Sequence, residues 1–310
     1  SSTLYDVAII DENNIWAVGE IYMLDSLGRP DPNAYNAIHW NGQSWELKRI
    51  MFYTICGQQS RSSYPAKSIF AFNDNEIWIG MDGDQITKLE NGLQVITTCL
   101  PWSFSINKLW GSNSNDLYTV GSNGNIAHYQ NGSWTKIESG TNLEIQDVLG
   151  ESNLENLQQE VFCIASDKYQ QIDKKVYKIM NNNITEISTE GLPWSLSSIW
   201  FKSKYKCYIV GDGIFMKNLS NAGYWRDITQ GITPYYTHLI RGTGLNDVVV
   251  GGSFGELLHF NGSTWYSYKG RELPEFIGNY FSVGIKGNTV CAVGQATINS
   301  NVAIISLGIK

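Results

Sequence analysis

Charge is what this sequence has least of. Asp, Glu, Lys and Arg make up 16% of its 310 residues, and the net charge is −7. No basic stripe is present to neutralise phosphates, which argues against a nucleic-acid binder. The same deficit argues against docking on an anionic membrane surface. No apolar run reaches the roughly 18 residues of a spanning helix, so no membrane span is expected. Cysteine is sparse, at five, and no pair has the C-x-x-C spacing of zinc or thioredoxin-type motifs. Nucleophile elbow, Walker loop and H-E-x-x-H signatures are all missing, so most catalytic classes have no foothold. The chain starts at Ser1 without a signal-peptide pattern, which reads as a processed or trimmed product.

Aromatics and glycines are plentiful, with 11 Trp, 17 Tyr and 30 Gly. Low charge with many rings and glycines fits an all-β chain of short strands and tight turns. Residues 106–137 show the unit: four short runs separated by turn chemistry, one antiparallel sheet. Copies recur. Their second strands end at Gly19, Gly80, Gly121, Ala165, Gly211, Gly252 and Gly294, spaced in the low forties after a longer first step. That period with four strands per unit predicts a β-propeller, and seven markers predict seven blades in one domain over 1–310. The blades fall at 4–50, 67–98, 106–138, 145–188, 196–229, 237–269 and 280–309. The first carries an insertion at 21–34, a long loop spans 51–66, and the fourth is eroded with a polar stretch at 153–159. The last shows three strands, so either that blade is three-stranded or a strand upstream of Ser1 is missing.

Asn41-Gly42, Asn131-Gly132 and Asn261-Gly262 predict type I′ hairpins. Trp45, Trp134 and Trp265, three residues on, are expected to pack blade on blade. Asn115-Asp116 and Asn246-Asp247 read as Asx turns rather than metal ligands. His39, His128 and His259 share one third-strand position in different blades, which favours a repeated structural role. Cys163, Cys207 and Cys291 read as core residues. Cys56 and Cys99 sit in equivalent loops, which leaves a disulfide between them open.

The run Asn115-Asp116-Leu117-Tyr118, then Val120-Gly121, Ile126, His128, Gly132 and Trp134, resembles a group of secreted bacterial seven-bladed propellers without assigned chemistry. These are loosely similar to photosystem-assembly-factor and BNR-type propellers, and some carry a sugar-hydrolase label. The resemblance implies the fold and an extracellular or periplasmic setting. Sialidases of this broad group have Asp boxes at the turn between third and fourth strands. Here Gly262-Ser263-Thr264-Trp265 keeps the tail of that box, but Phe260 stands where its Asp would be. Of the arginine cluster such enzymes use, Arg241 offers one member. WD40 repeats are not matched, because the Trp is not followed by Asp.

Function in a propeller is expected at the loops of one channel mouth. Aligned first strands give two columns there. One is Tyr5, Lys67, Asn107, Gln146, Ser197, His238 and Phe281; the next is Asp6, Ser68, Lys108, Asp147, Ser198, Leu239 and Ser282. Near-copies Leu100-Pro101-Trp102-Ser103 and Leu192-Pro193-Trp194-Ser195, with Pro234-Tyr235-Tyr236, lead into three blades. Their rings either plug the blade tops or face the mouth. The binding candidates are therefore Trp102, Trp194, Tyr235, Tyr236, Asn107, Lys108, Gln146 and Arg241. Asp25 and Asp31 offer carboxylates for Ca²⁺ but lack EF-hand spacing. The favoured reading is a monomeric, cofactor-free binding module or scaffold gripping a glycan or protein at the mouth. The alternative is a glycoside hydrolase or lyase with Asp6 and Asp147 as acid/base pair and His238 or Lys108 assisting. Such carboxylates must lie about 5 Å apart to retain configuration or about 6.5–9.5 Å apart to invert it.

Overall fold

Runs of β-branched and aromatic residues, punctuated by Gly and Asn, fold locally into antiparallel meanders. In the computed structural model, residues 1–153, 158–167, 173–220, 223–298 and 300–310 are described. They form six four-stranded blades and a three-stranded seventh. The innermost strands are Thr3–Asp11, Ala66–Asn73, Ile106–Asn113, Ile145–Asn153, Leu196–Lys202, Thr237–Gly244 and Gly278–Lys286. They pack one against the next, and Thr3–Asp11 packs against Gly278–Lys286 to close the ring. A two-stranded hairpin, Phe52–Tyr53 with Arg61–Ser62, stands in the 51–66 loop. Residues 154–157 of the polar stretch in blade four lie outside the described residues.

A single blade cannot bury both its faces, so the core lies between blades. Seven apolar clusters fill the seven blade-to-blade interfaces. Trp45, Trp134 and Trp265 are half-buried members of three of them. Cys163, Cys207 and Cys291 are buried, and burial pushes their thiols up, away from thiolate chemistry. Cys56 and Cys99 form a disulfide with an S–S distance of 2.00 Å, tying the 51–66 loop to the outer strand of blade two.

Two details of turn chemistry differ from expectation. Asn131-Gly132 is a two-residue turn, with φ of 53° and 82°. The Asn41 and Asn261 turns are four-residue loops instead, in which each Asn side chain accepts from two backbone N–H groups. At the other turn, Asn113 rather than Asn115 closes the Asx turn, accepting from Asn115 N–H at 2.9 Å. Asp116 and Asp247 hold the equivalent histidines, with His128 Nε2 at 2.6 Å and His259 Nε2 at 2.9 Å. His39 meets Asn14 at 2.9 Å in the same place. His128 stacks on Tyr118 and His39 on Trp16, so this repeated device ties third strand to second.

Candidate functional site

One irregularity sets the channel mouth. Adjacent residues of a regular strand face opposite sides. Each innermost strand carries a register shift at the same step, with an extra residue at Tyr5, Lys67, Asn107, Gln146, Ser197, His238 or Phe281. Such bulges re-aim side chains. The seven bulge residues meet round one cavity of about 210 Å³ on the axis, with Asp6, Lys108, Leu239 and Ser282 beneath them. Lys67 Nζ lies 4.1 Å from the centre of the Tyr5 ring. His238 stands edge-on between Tyr236 and Phe281, and its Nε2 is 3.2 Å from Ser253 Oγ. Asn107 donates to Glu144 and to the Ile145 carbonyl, and Gln146 to the Ser166 carbonyl.

Below the mouth lies a buried charge layer. Asp6 is 1% exposed and Asp147 is fully buried. Asp6 accepts from Lys108 Nζ at 2.6 Å, Ser282 Oγ at 2.7 Å, Ser68 Oγ at 2.9 Å, and the Val7 and Ile69 N–H groups. Asp147 accepts from both Arg241 Nη atoms at 2.8 and 2.9 Å, from Ser198 Oγ, and from the Val148 and Ile199 N–H groups. Burial alone would raise the Asp147 carboxyl, but the Arg241 guanidinium outweighs it and holds the group below the usual carboxylate range. Burial depresses the Lys108 ammonium even with Asp6 beside it. The two halves repeat one pattern: an Asp, a Ser one blade on, and a cation two blades on. Beyond this layer the channel turns apolar, a cavity of about 200 Å³ lined by Val7, Ile69, Trp110, Val148 and Val283 among others.

The remaining sequence candidates spread out. Trp102 is half-buried against the interface of blades two and three, and Trp194 is also half-buried. The leucines of those loops, Leu100 and Leu192, are the buried plugs. Tyr236 Oη bonds to Ser195 and Ser197, and Tyr235 carries Lys269 over its ring. None of these four rings lines the axial cavity, and Arg241 lines the apolar half. Asp25 is bonded to Arg29, and Asp31 to Arg49. Among the described residues no group of three His, Cys, Asp or Glu is placed to hold a metal ion.

Two side grooves extend the mouth, and their acids were absent from the sequence candidates. One, of about 770 Å³, runs over blades two to four and is lined by Lys67, Asp82, Asn107, Glu144, Asp167 and Asp173 with several small polar residues. The other, of about 590 Å³, lies over blades seven and one, with Tyr5, Glu20, Tyr22, Phe281 and Gln295. Lys67 and Asn107 join the first to the axial cavity, and Tyr5 and Phe281 join the second. Burial, then Glu20 and Asp82, raise the Tyr5 hydroxyl above its ordinary value, so this ring stays neutral. Glu20, Asp82 and Asp167 each follow a marker of the second strand within two residues. That position was the available signal.

No protein-family profile matches the chain, and no curated protein sequence matches it. Solved structures do. YCF48 bound to D1 peptide superposes with a TM-score of 0.69 at 16% identity, covering 95% of this chain and 91% of that one. The WD40 β-propeller domain of Doa1 gives 0.68 at 12% identity, covering 99% and 93%. YCF48 from Cyanidioschyzon merolae gives 0.63 at 13% identity, covering 97% and 94%. At these identities the likeness concerns the fold, a seven-bladed β-propeller.

Proposed function

We propose that this chain is a non-catalytic binding scaffold that holds an extended protein segment across its channel mouth. The observation that carries the reading is the continuous trough made by the axial cavity and its two side grooves. Such a concave surface with a few rings and many polar groups suits a segment better than a small molecule. Glu20, Asp82, Glu144, Asp167 and Asp173 outnumber Lys67 along it, which favours a segment carrying cations. The structural neighbour with a bound peptide supports the same reading. Asp6 and Asp147 are saturated by their own donors, which supports a structural rather than an acid/base role. An extracellular or periplasmic setting is part of the proposal, and the Cys56–Cys99 disulfide suits an oxidising compartment. We read the protein as a monomer that needs no cofactor.

A glycan is the second reading, favoured by the Tyr5 and Phe281 rings beside the Asn107 and Gln146 amides. Parallel peptide and glycan arrays separate the two. A basic peptide is expected to bind saturably, and the combined variant Asp82→Ala, Glu144→Ala, Phe281→Ala to lose at least about tenfold in affinity. Unchanged affinity in a folded variant would place the ligand elsewhere. Binding confined to glycans would transfer the reading to sugars.

A further inference from the structure

The two halves of the buried charge layer share a plan but not the bonding of their cations. Arg241 donates to Asp147, to Ser198, and to the Ile199 and Ile240 carbonyls. Lys108 takes the matching place beside Asp6, next to the bulge at Asn107. An ammonium carries three N–H donors. Among the described residues Lys108 Nζ has one acceptor, Asp6 Oδ1 at 2.6 Å. Two N–H groups are therefore left without a protein acceptor on a side chain that is 11% exposed. Buried donors without partners are costly, so natural proteins keep few of them.

Lys108 also lines both axial cavities, the polar one of about 210 Å³ at the mouth and the apolar one of about 200 Å³ beyond it. Burial, opposed by Asp6 and assisted by the Arg241 charge, presses its ammonium toward the neutral amine. A lysine amine in such surroundings, with space beside it, is a nucleophile toward carbonyl carbon.

We propose that Lys108 is a carbonyl-capture site that holds short aliphatic aldehydes as an iminium. The carbon chain of the ligand lies in the apolar cavity against Ile69, Trp110, Val148 and Val283, and its carbonyl carbon meets Nζ. The step balances without a redox partner. Nζ releases one proton to solvent through the polar cavity, and its lone pair then bonds the carbonyl carbon. The carbonyl oxygen takes a second proton from nitrogen, recovers the released one, and departs as water. The net change turns an ammonium with three N–H groups into an iminium with one, at the same charge. Asp6 keeps its ion pair and its one hydrogen bond from Nζ, and the two N–H groups that disappear are the two without an acceptor. That match between what the layer satisfies and what an iminium retains carries the inference. It is independent of segment binding at the mouth.

The test treats the full chain with hexanal and cyanoborohydride, which reduces an iminium to a stable secondary amine, and maps the product by peptide mass spectrometry. Lys108 is expected to be labelled at least about tenfold faster than the exposed Lys136 and Lys286. Glyceraldehyde, too polar for the apolar wall, is expected to show no such preference. Ala71→Leu narrows the apolar cavity without touching the charge layer, and is expected to slow labelling of Lys108 while leaving Lys136 unchanged. Four results would overturn the proposal. They are equal labelling of Lys108 and the exposed lysines, the same preference with glyceraldehyde, an unchanged Lys108 rate in folded Ala71→Leu, and acceleration of Lys108 labelling by sub-denaturing urea. The last would mean that only the opened chain reacts.

Discussion

Replacing Asp147 by alanine removes one carboxylate and strands one cation. The carboxylate accepts five hydrogen bonds, two of them from Arg241, and has no exposed surface. Afterwards the guanidinium, 15% exposed, retains only the Ile199 and Ile240 carbonyls and the Ser198 hydroxyl as partners. Breaking a buried pair on one side costs about 3–5 kcal/mol, mostly because the surviving charge is unsolvated. Against a total stability of roughly 5–15 kcal/mol this is a large loss. The paired change Asp147→Leu with Arg241→Met removes both charges and is expected to recover most of it. Urea unfolding followed by tryptophan fluorescence measures all three proteins. A loss under about 1 kcal/mol for Asp147→Ala, or a double variant weaker than the single one, would refute the reasoning. The pH dependence has a definite sign. The folded-state pKa of Asp147 lies below its unfolded value, so its contribution is complete above about pH 4 and vanishes as pH falls through the lowered value. The gap between wild type and Asp147→Ala should therefore narrow only in strong acid.

Cys99→Ser opens a loop with a sequence separation of 43 and should cost about 2–4 kcal/mol, read by thermal unfolding with and without reductant. An effect confined to the oxidised protein is the expected outcome. Gly150→Ala would place a Cβ 2.3 Å from the Trp110 ring, at the interface of blades three and four. That overlap should cost about 1–3 kcal/mol in urea titration, and Trp110→Leu in the same chain should relieve part of it.

The blades were legible because each is a local meander. The glycines closing the second strands, the turns and the spacing all lie within some forty residues of chain, where pattern and structure coincide. The bulge was not. In sequence, Tyr5-Asp6 or Asn107-Lys108 are simply two neighbours, and strand alternation assigns them to opposite sides. Only pairing with the second strand reveals the extra residue. The two columns were nonetheless identifiable by alignment. Their division of labour was hidden, since which column is saturated and which is open depends on partners two blades away. The groove acids Glu20, Asp82 and Asp167 follow second strands, and their convergence on the grooves depends on neighbouring blades rather than on the local pattern.

That division also bears on how the ring closes. Among the described residues no strand is shared between the sheets of blades seven and one, and Ser2 N–H donates to the Asn301 carbonyl between them. Side chains add to this closure. Asp6 receives donors from four blades at once: Val7 of its own, Ser68 and Ile69 of the second, Lys108 of the third and Ser282 of the seventh. Gln295 of blade seven adds a bond to Thr3 of blade one at 2.6 Å. Asp147 and Arg241 repeat the device on the far side of the axis, where no closure is needed. A carboxylate so heavily committed gains nothing from facing the channel and would lose its donors by acting as an acid. The same geometry puts the load of the fold on the layer of Asp6 and Asp147 and leaves the cavity above it to be lined by the bulge residues.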